Sequence, residues 1–281
     1  MNFTASLALL LVQPTAAPSP LDFAEGDRVV LIGGTLIERE QASGHWELAL
    51  TLRNKDKRVT FRNLGWSGDT VWGESRGSFD GPAKGYAKLV ELMKELEPTV
   101  ILICYGQNES YAGEKGVEAF AAQYQKLLKD LAPTKARFVL VSPTPFEEVK
   151  PLKDAKGKNA NLAKYVAATK ELAEKQKAGF VDLFAAKPVG TENGVHFDAA
   201  GYRRLAAAFG TIPAESTDEL LREAIVAKNE LFFHRWRPQN FTYLFGFRKG
   251  EQGKNGKEIA EFDPLVERAE KRIAELRQAG K

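Results

Sequence analysis

Three features of the chain predict a three-layer α/β/α sandwich around a five-stranded parallel sheet, followed by a helical, aromatic-rich extension. Short, nearly continuous apolar runs rich in β-branched residues recur between residues 28 and 184. Longer stretches with apolar residues at helical spacing separate them. Beyond Ile212 this alternation stops, and helical spacing and aromatic side chains take over. Near-continuous apolar strands alternating with helices imply a parallel sheet covered on both faces.

The strands are expected at 28–32, 59–63, 99–104, 137–142 and 179–184, each a β-branched run. Helices are expected near 37–53, 83–96, 117–131 and 159–177, with a last one at 199–209. The sandwich then covers 26–210, and residues 211–281 form a C-terminal helical extension packed on it. Within the extension, Ser216 and Glu219 have capping-box spacing ahead of a helix of ~16 residues carrying Leu220, Leu221, Ala224, Ile225, Leu231 and Phe232. Residues 231–247 hold seven aromatics. A lysine- and glycine-rich loop at 248–257 leads to a closing helix with Leu265, Ala269, Ile273 and Leu276 on one face.

Composition narrows the function classes. The net charge is only +3, and the last seventy residues carry 13 basic and 12 acidic groups, so no footprint for nucleic acid is present. Cys104 is the sole cysteine, and with three histidines the chain has no Cys/His zinc cluster. Cys104 itself sits in an apolar run and reads as a packed strand residue. His45 and His234 read as surface or packing residues. Residues 1–17 are uncharged, apolar from Ala5 to Val12, and end in Thr15-Ala16-Ala17. That is the shape of a signal peptide without a basic n-region, and it predicts a secreted or periplasmic protein. Eight apolar residues are far fewer than the ~20 needed to span a bilayer, so no transmembrane segment is expected.

In a parallel α/β sheet, ligands bind outside the carboxyl ends of the strands. Gly33-Gly34-Thr35 follows the first strand, Asn63 to Thr70 (with Ser67-Gly68-Asp69) the second, and Gly106-Gln107-Asn108-Glu109 the third. Asn193-Gly194-Val195-His196 precedes the last helix of the sandwich. Singly, each is ordinary turn chemistry. As an ordered set they resemble the SGNH hydrolase (GDSL esterase/lipase) family over roughly residues 26–210.

That resemblance implies the flavodoxin-like SGNH fold, ester hydrolysis, and a role for each matching residue. Thr35 falls at the nucleophile serine of Gly-Asp-Ser. Gly68 falls at the glycine whose backbone N–H joins the oxyanion hole, and Asn108 at the asparagine whose amide completes it. His196 falls at the base, and Asn193 at the aspartate behind it. The implied substrate is a small-molecule or carbohydrate ester, O-acetyl groups included, with no metal or organic cofactor.

Two of these matches are departures. Threonine keeps a hydroxyl that a histidine can deprotonate, but its methyl restricts χ1 and crowds a carbonyl carbon. Asparagine can hold an imidazole but cannot stabilise an imidazolium by charge, and it favours the wrong tautomer; a comparable change in a serine protease costs ~10⁴ in turnover. Glu192 and Asp198 are the nearby carboxylates that spacing offers as replacements. Each residue also has a plainer reading: Thr35 as a helix-capping hydroxyl, Asn108 as a turn closer, Gly68 as a loop glycine, His196 as a helix-flanking residue. The expected protein is an SGNH-type esterase. The alternatives are a binding protein that kept the pocket and lost the chemistry, or a structural partner in an envelope assembly. The aromatic run reads as a docking surface; its functional version has Trp236, Tyr243 or Phe245 stacking on a sugar, with Arg235 and Arg237 binding a carboxylate.

Overall fold

The computed structural model describes residues 19–186, 190–211 and 218–279. The expected signal peptide and Ser216 lie outside the described residues. Five strands, β1 (Arg28–Gly33), β2 (Thr60–Asn63), β3 (Val100–Cys104), β4 (Arg137–Val141) and β5 (Gly179–Val181), form one parallel sheet in the order β2-β1-β3-β4-β5. This order reverses between β1 and β3, and the crevice at such a reversal is where doubly wound sheets bind ligands.

The alternation of side chains along each strand feeds two cores. Val29 and Leu31 face one side with Trp46, Leu50, Tyr202 and Phe209. Val30 and Ile32 face the other with Met93, Phe120, Tyr124 and Leu127. The first layer comes from α1 (Thr35–Ser43), α2 (His45–Arg53) and α6 (Ala199–Leu205), the second from α3 (Pro82–Leu96), α4 (Val117–Leu131) and α5 (Ala155–Gln176).

One expected helix is two. The apolar period over 37–53 runs unbroken, but Gly44 takes a left-handed conformation (φ 69°) and ends α1. The buried Glu40 carboxylate then accepts the Trp46 N–H at 2.6 Å and opens α2. Burial pushes that carboxyl well above its ordinary range. A Cβ at Gly44 would come within 2.8 Å of the Val226 side chain, so the break also admits the extension.

The extension begins with α7 (Glu219–Trp236), which lies against α1, α2 and the outer strand β2. Lys228, fully buried, bonds the Glu47 carboxylate at 2.7 Å, the Phe61 carbonyl at 3.0 Å and Asn229 Oδ1 at 2.8 Å. The sheet's edge is thereby covered, and one of its outward carbonyls is satisfied. Two short helices follow, α8 (Phe241–Leu244) and α9 (Lys249–Gln252), then a 3₁₀ stretch (Gly253–Glu261) in place of the expected loop, then α10 (Phe262–Ala279). Ile273 and Leu276 of α10 pack with Leu48, Leu221 and Ile225. Glu219 pairs with Arg222 at 2.5 Å; the residue preceding α7 is Asp218, which makes no side-chain cap. His234 packs between the rings of Phe233 and Phe262. Among the described residues no helix is long and apolar enough to cross a membrane.

Candidate active site

Thr35 is the first residue of α1, and it is not a cap. Gly34 holds the N-cap position, and no side-chain cap bond is made there. The Thr35 hydroxyl instead accepts the backbone N–H of Gly68 at 3.2 Å. An oxygen at a helix N-terminus that also receives a backbone N–H sits where developing negative charge is stabilised.

The loop carrying Gly68 is held from several sides. Asn63 donates to the Ile37 carbonyl at 2.7 Å and accepts the Gly65 N–H at 2.8 Å. Gly65 passes so close to α1 that a Cβ would lie 2.2 Å from the Glu38 nitrogen, and Gly68 itself is left-handed (φ 74°). Glycine is required at the first by the approach and at the second by the angle. Asp69 forms a buried pair with Arg76 at 2.6 Å and accepts the Tyr105 hydroxyl at 3.0 Å.

Asn108, after β3, donates its amide to the Asp69 carbonyl at 2.9 Å, and its nitrogen lies against the Gly34 turn. Its neighbour Glu109 is buried and ties two loops together, accepting the Val71 N–H at 2.7 Å and the Gly106 N–H at 2.8 Å. Burial pushes the Glu109 carboxyl up to about 7. Thr35, Gly34, Asp69, Cys104, Gln107, Asn108 and Pro143 line a recess of about 20 Å³. That is room for one water, which needs ~10–15 Å³. Cys104 is a wall residue whose thiol burial pushes up to about 12.

His196 sits on a loop fixed by an isolated bridge between Thr191 and Phe197 and by the Glu192 N–H bond to the His196 carbonyl at 2.7 Å. Asn193 accepts the backbone N–H groups of Val195 (3.2 Å) and His196 (3.0 Å) on Oδ1. Its Nδ2 therefore faces His196 Nδ1, at 3.0 Å. A donor at that position makes Nδ1 the acceptor, so the neutral ring carries its proton on Nε2. Burial first, and Arg39 second, hold the His196 pKa below its ordinary 6.5, so the ring is neutral at pH 7.

Among the hydrogen bonds of the described residues neither nearby carboxylate meets the His196 ring, although the Glu192 charge acts on it and opposes the fall in its pKa. Asp198 caps α6, accepting the Gly201 N–H at 2.7 Å. Glu192 pairs with Arg39 at 3.4 Å. The sheet thus brings Thr35, Gly68 and Asn108 together at the reversal between β1 and β3, and Asn193 to His196. Among the hydrogen bonds of the described residues none joins Thr35 to His196. Sequence reasoning passed over Glu38, which accepts the Ser67 N–H at 2.5 Å and the Ser67 hydroxyl at 2.9 Å. Its only signal was a charge one turn beyond Thr35. Arg235 and Arg237 are both engaged, with Asp263 at 2.7 Å and Glu38 at 2.8 Å, and Trp236 packs edge-on against Trp66.

The chain belongs to the GDSL-like lipase/acylhydrolase family, whose model matches residues 26–204. By family and fold it is of the SGNH hydrolase class. Among solved structures, it is similar to a catalytic mutant of an acetylxylan esterase from Geobacillus stearothermophilus (18% identity, TM-score 0.52, 67% of this chain and 94% of that one). The native aryl esterase of M. smegmatis is similar at 17% identity and TM-score 0.52, with 65% and 96% covered. A gut microbial diltiazem-metabolizing enzyme matches at 21% identity and TM-score 0.51 over 68% of this chain, which spans about half (48%) of that protein's length. At these identities the shared property is the fold. No curated protein sequence matches the chain.

Proposed function

We propose that the chain hydrolyses small acyl esters, acetyl groups on carbohydrate among them, through a threonine nucleophile. The observation that carries this reading is the Gly68 N–H directed at Thr35 Oγ1 at 3.2 Å on the first turn of α1. In the reaction His196, once in the tautomer that leaves Nε2 unprotonated, takes the hydroxyl proton on Nε2 as Oγ1 bonds to the ester carbonyl carbon. The resulting oxyanion is received by the Gly68 N–H and the Asn108 amide. The alcohol leaves with the proton from His196, and water then releases the acid from the acyl-threonine by the same steps in reverse. A recess of about 20 Å³ beside Thr35 favours a short acyl group. The acetylxylan esterase neighbours support acetyl as that group.

A second reading rests on Asn193. With Nδ1 occupied as an acceptor at 3.0 Å, the neutral ring carries its proton on Nε2, the nitrogen that would have to take one. A protein fixed in that state binds esters without turning them over. Hydrolysis of a small activated acetyl ester by the purified protein, and by its Thr35→Ala and His196→Ala variants, separates the two. The esterase reading expects slow turnover lost in both variants. Turnover that survives both, or none in the parent, removes it. We further propose that residues 1–17 direct secretion, on the strength of the Thr15-Ala16-Ala17 end of an uncharged apolar segment.

A further inference from the structure

We propose that Arg237, at the end of α7 in the C-terminal extension, is a positioning residue for the oxyanion-hole N–H of Gly68. The inference deepens the esterase reading and rests on it where turnover is concerned. The connection runs through three short steps. Arg237 Nη1 donates to Glu38 Oε2 at 2.8 Å. Glu38 in turn holds Ser67, taking its N–H on Oε2 at 2.5 Å and its hydroxyl on Oε1 at 2.9 Å. The next residue along the chain is Gly68, whose N–H reaches Thr35 Oγ1 at 3.2 Å.

The same guanidinium also covers the residue on the other side of Ser67. Its carbon lies 3.5 Å from the centroid of the Trp66 ring, and Trp66 meets Trp236 edge-on at 5.8 Å. Residues 66 and 67 are therefore both gripped by the end of α7, one by stacking and one through Glu38. Arg237 is fixed in turn, because its backbone N–H closes α7 on the Phe233 carbonyl at 2.9 Å and its guanidinium lies 5.5 Å from the Phe233 ring. Both side chains of the ion pair are mostly shielded, 26% and 21% exposed, which weakens screening relative to a surface pair.

Electrostatics add a second reason for the arginine. Glu38 stands one turn after Thr35 on α1, close to where negative charge develops when a carbonyl is attacked. An unpaired carboxylate there opposes that charge. Arg237 cancels the opposition while leaving Glu38 in place to hold the loop. A planar guanidinium serves both ends, bonding in its plane and stacking on its face, which a lysine ammonium does not do.

The test uses the full chain and two independent readouts: hydrogen exchange of the backbone over residues 64–70, and steady-state hydrolysis of a small acetyl ester. In Arg237→Leu, exchange over 64–70 is expected to rise while exchange in β1 and β3 stays as in the parent. The kcat is expected to fall ~10-fold, less than the 10²–10³ seen when an oxyanion donor is deleted outright, with KM within ~2-fold. Adding Glu38→Gln, which removes the charge and keeps an acceptor for Ser67, is expected to recover part of the lost kcat. Unchanged exchange over 64–70 overturns the positioning role, and unchanged kcat overturns its catalytic consequence. Loosening spread over the whole sheet, or no recovery in the double variant, assigns Arg237 to stability alone. If Arg237→Leu does not fold, Arg237→Gln is read by the same criteria. A parent without Thr35-dependent turnover removes the esterase reading, and the exchange experiment then decides the positioning role by itself.

Discussion

The side-chain nitrogen of Asn193 lies 3.0 Å from His196 Nδ1, while its oxygen is committed to the N–H groups of Val195 and His196. Rotating the amide to present oxygen to the ring would set its NH₂ against those two N–H groups. The loop's own backbone therefore favours the tautomer with Nε2 protonated, whereas catalysis needs the other. A carboxylate removes the conflict: one oxygen keeps both N–H bonds and the other accepts a hydrogen bond from Nδ1–H. Asn193→Asp should consequently raise kcat on a small acetyl ester by at least ~100-fold, within the ~10⁴ that such a group is worth in a serine protease. Steady-state kinetics check it, and an unchanged kcat would show that the tautomer does not limit turnover.

The pH dependence follows from the same ring. Burial and Arg39 lower the His196 pKa, so the neutral ring, the form from which the basic tautomer is drawn, persists down to acid pH. In the parent, kcat/KM should rise with pH along a limb whose midpoint lies below 6.5, then stay level to pH 8. In Asn193→Asp a negative charge beside Nδ1 favours the imidazolium, and the limb should move to higher pH. Glu109, pushed up to about 7 by burial, titrates in the same window, so the limb should persist in Glu109→Gln. A parent midpoint above 7 would contradict the assignment to His196.

How much of this was written in the sequence depends on range. Strand positions and the order of the site blocks were legible, because apolar runs and post-strand glycines are local signals. The break at Gly44 was not, since the helical period continues across it and only the packing of Val226 shows why the chain turns there. The lock on His196 was half legible: asparagine at 193 announced the wrong donor, but which of its atoms faces the ring is decided by two backbone N–H groups. The grip of Arg237 on Glu38 was illegible, because 199 residues separate the partners and neither sits in a motif.

Processing gives a prediction independent of catalysis. Cleavage after Ala17 should leave a mature chain beginning at Pro18 or within a few residues of it, read by intact mass of exported protein. Recovery of the chain with Met1 intact from the cytoplasm would contradict it.

Lys228 should be indispensable to the seat of α7. Its ammonium is fully buried against Glu47, and removing it leaves a carboxylate in the interior without its counter-ion. Lys228→Met should cost about 3–5 kcal/mol and lower Tm by ~6–20 °C. Burial already raises the Glu47 pKa, and losing Lys228 raises it further. The folded state then holds a proton that the unfolded state gives up near the ordinary value, so stability falls as pH rises through that interval. Thermal melts should show a larger loss at pH 8 than at pH 5, with recovery on adding Glu47→Leu. Equal losses at both pH values would mean that Glu47 does not carry the effect.

Thr35 offers the sharpest division between a slow enzyme and a silent pocket. Its hydroxyl, on the first turn of α1, receives the Gly68 N–H at 3.2 Å. What differs is the methyl, which restricts χ1 and crowds a carbonyl carbon approaching Oγ1 in a recess of only about 20 Å³. Thr35→Ser removes that crowding without moving the oxygen, and kcat should rise. Combined with Asn193→Asp, the gain should exceed the product of the single gains, because nucleophile and base act as a unit. His196→Ala should abolish turnover in every background. If the parent is silent and only the double variant hydrolyses acetyl ester, the chain binds without turnover and the second reading stands. If Thr35→Ser alone matches the double variant, His196 reaches its basic tautomer unaided, and the restraint on catalysis is the methyl.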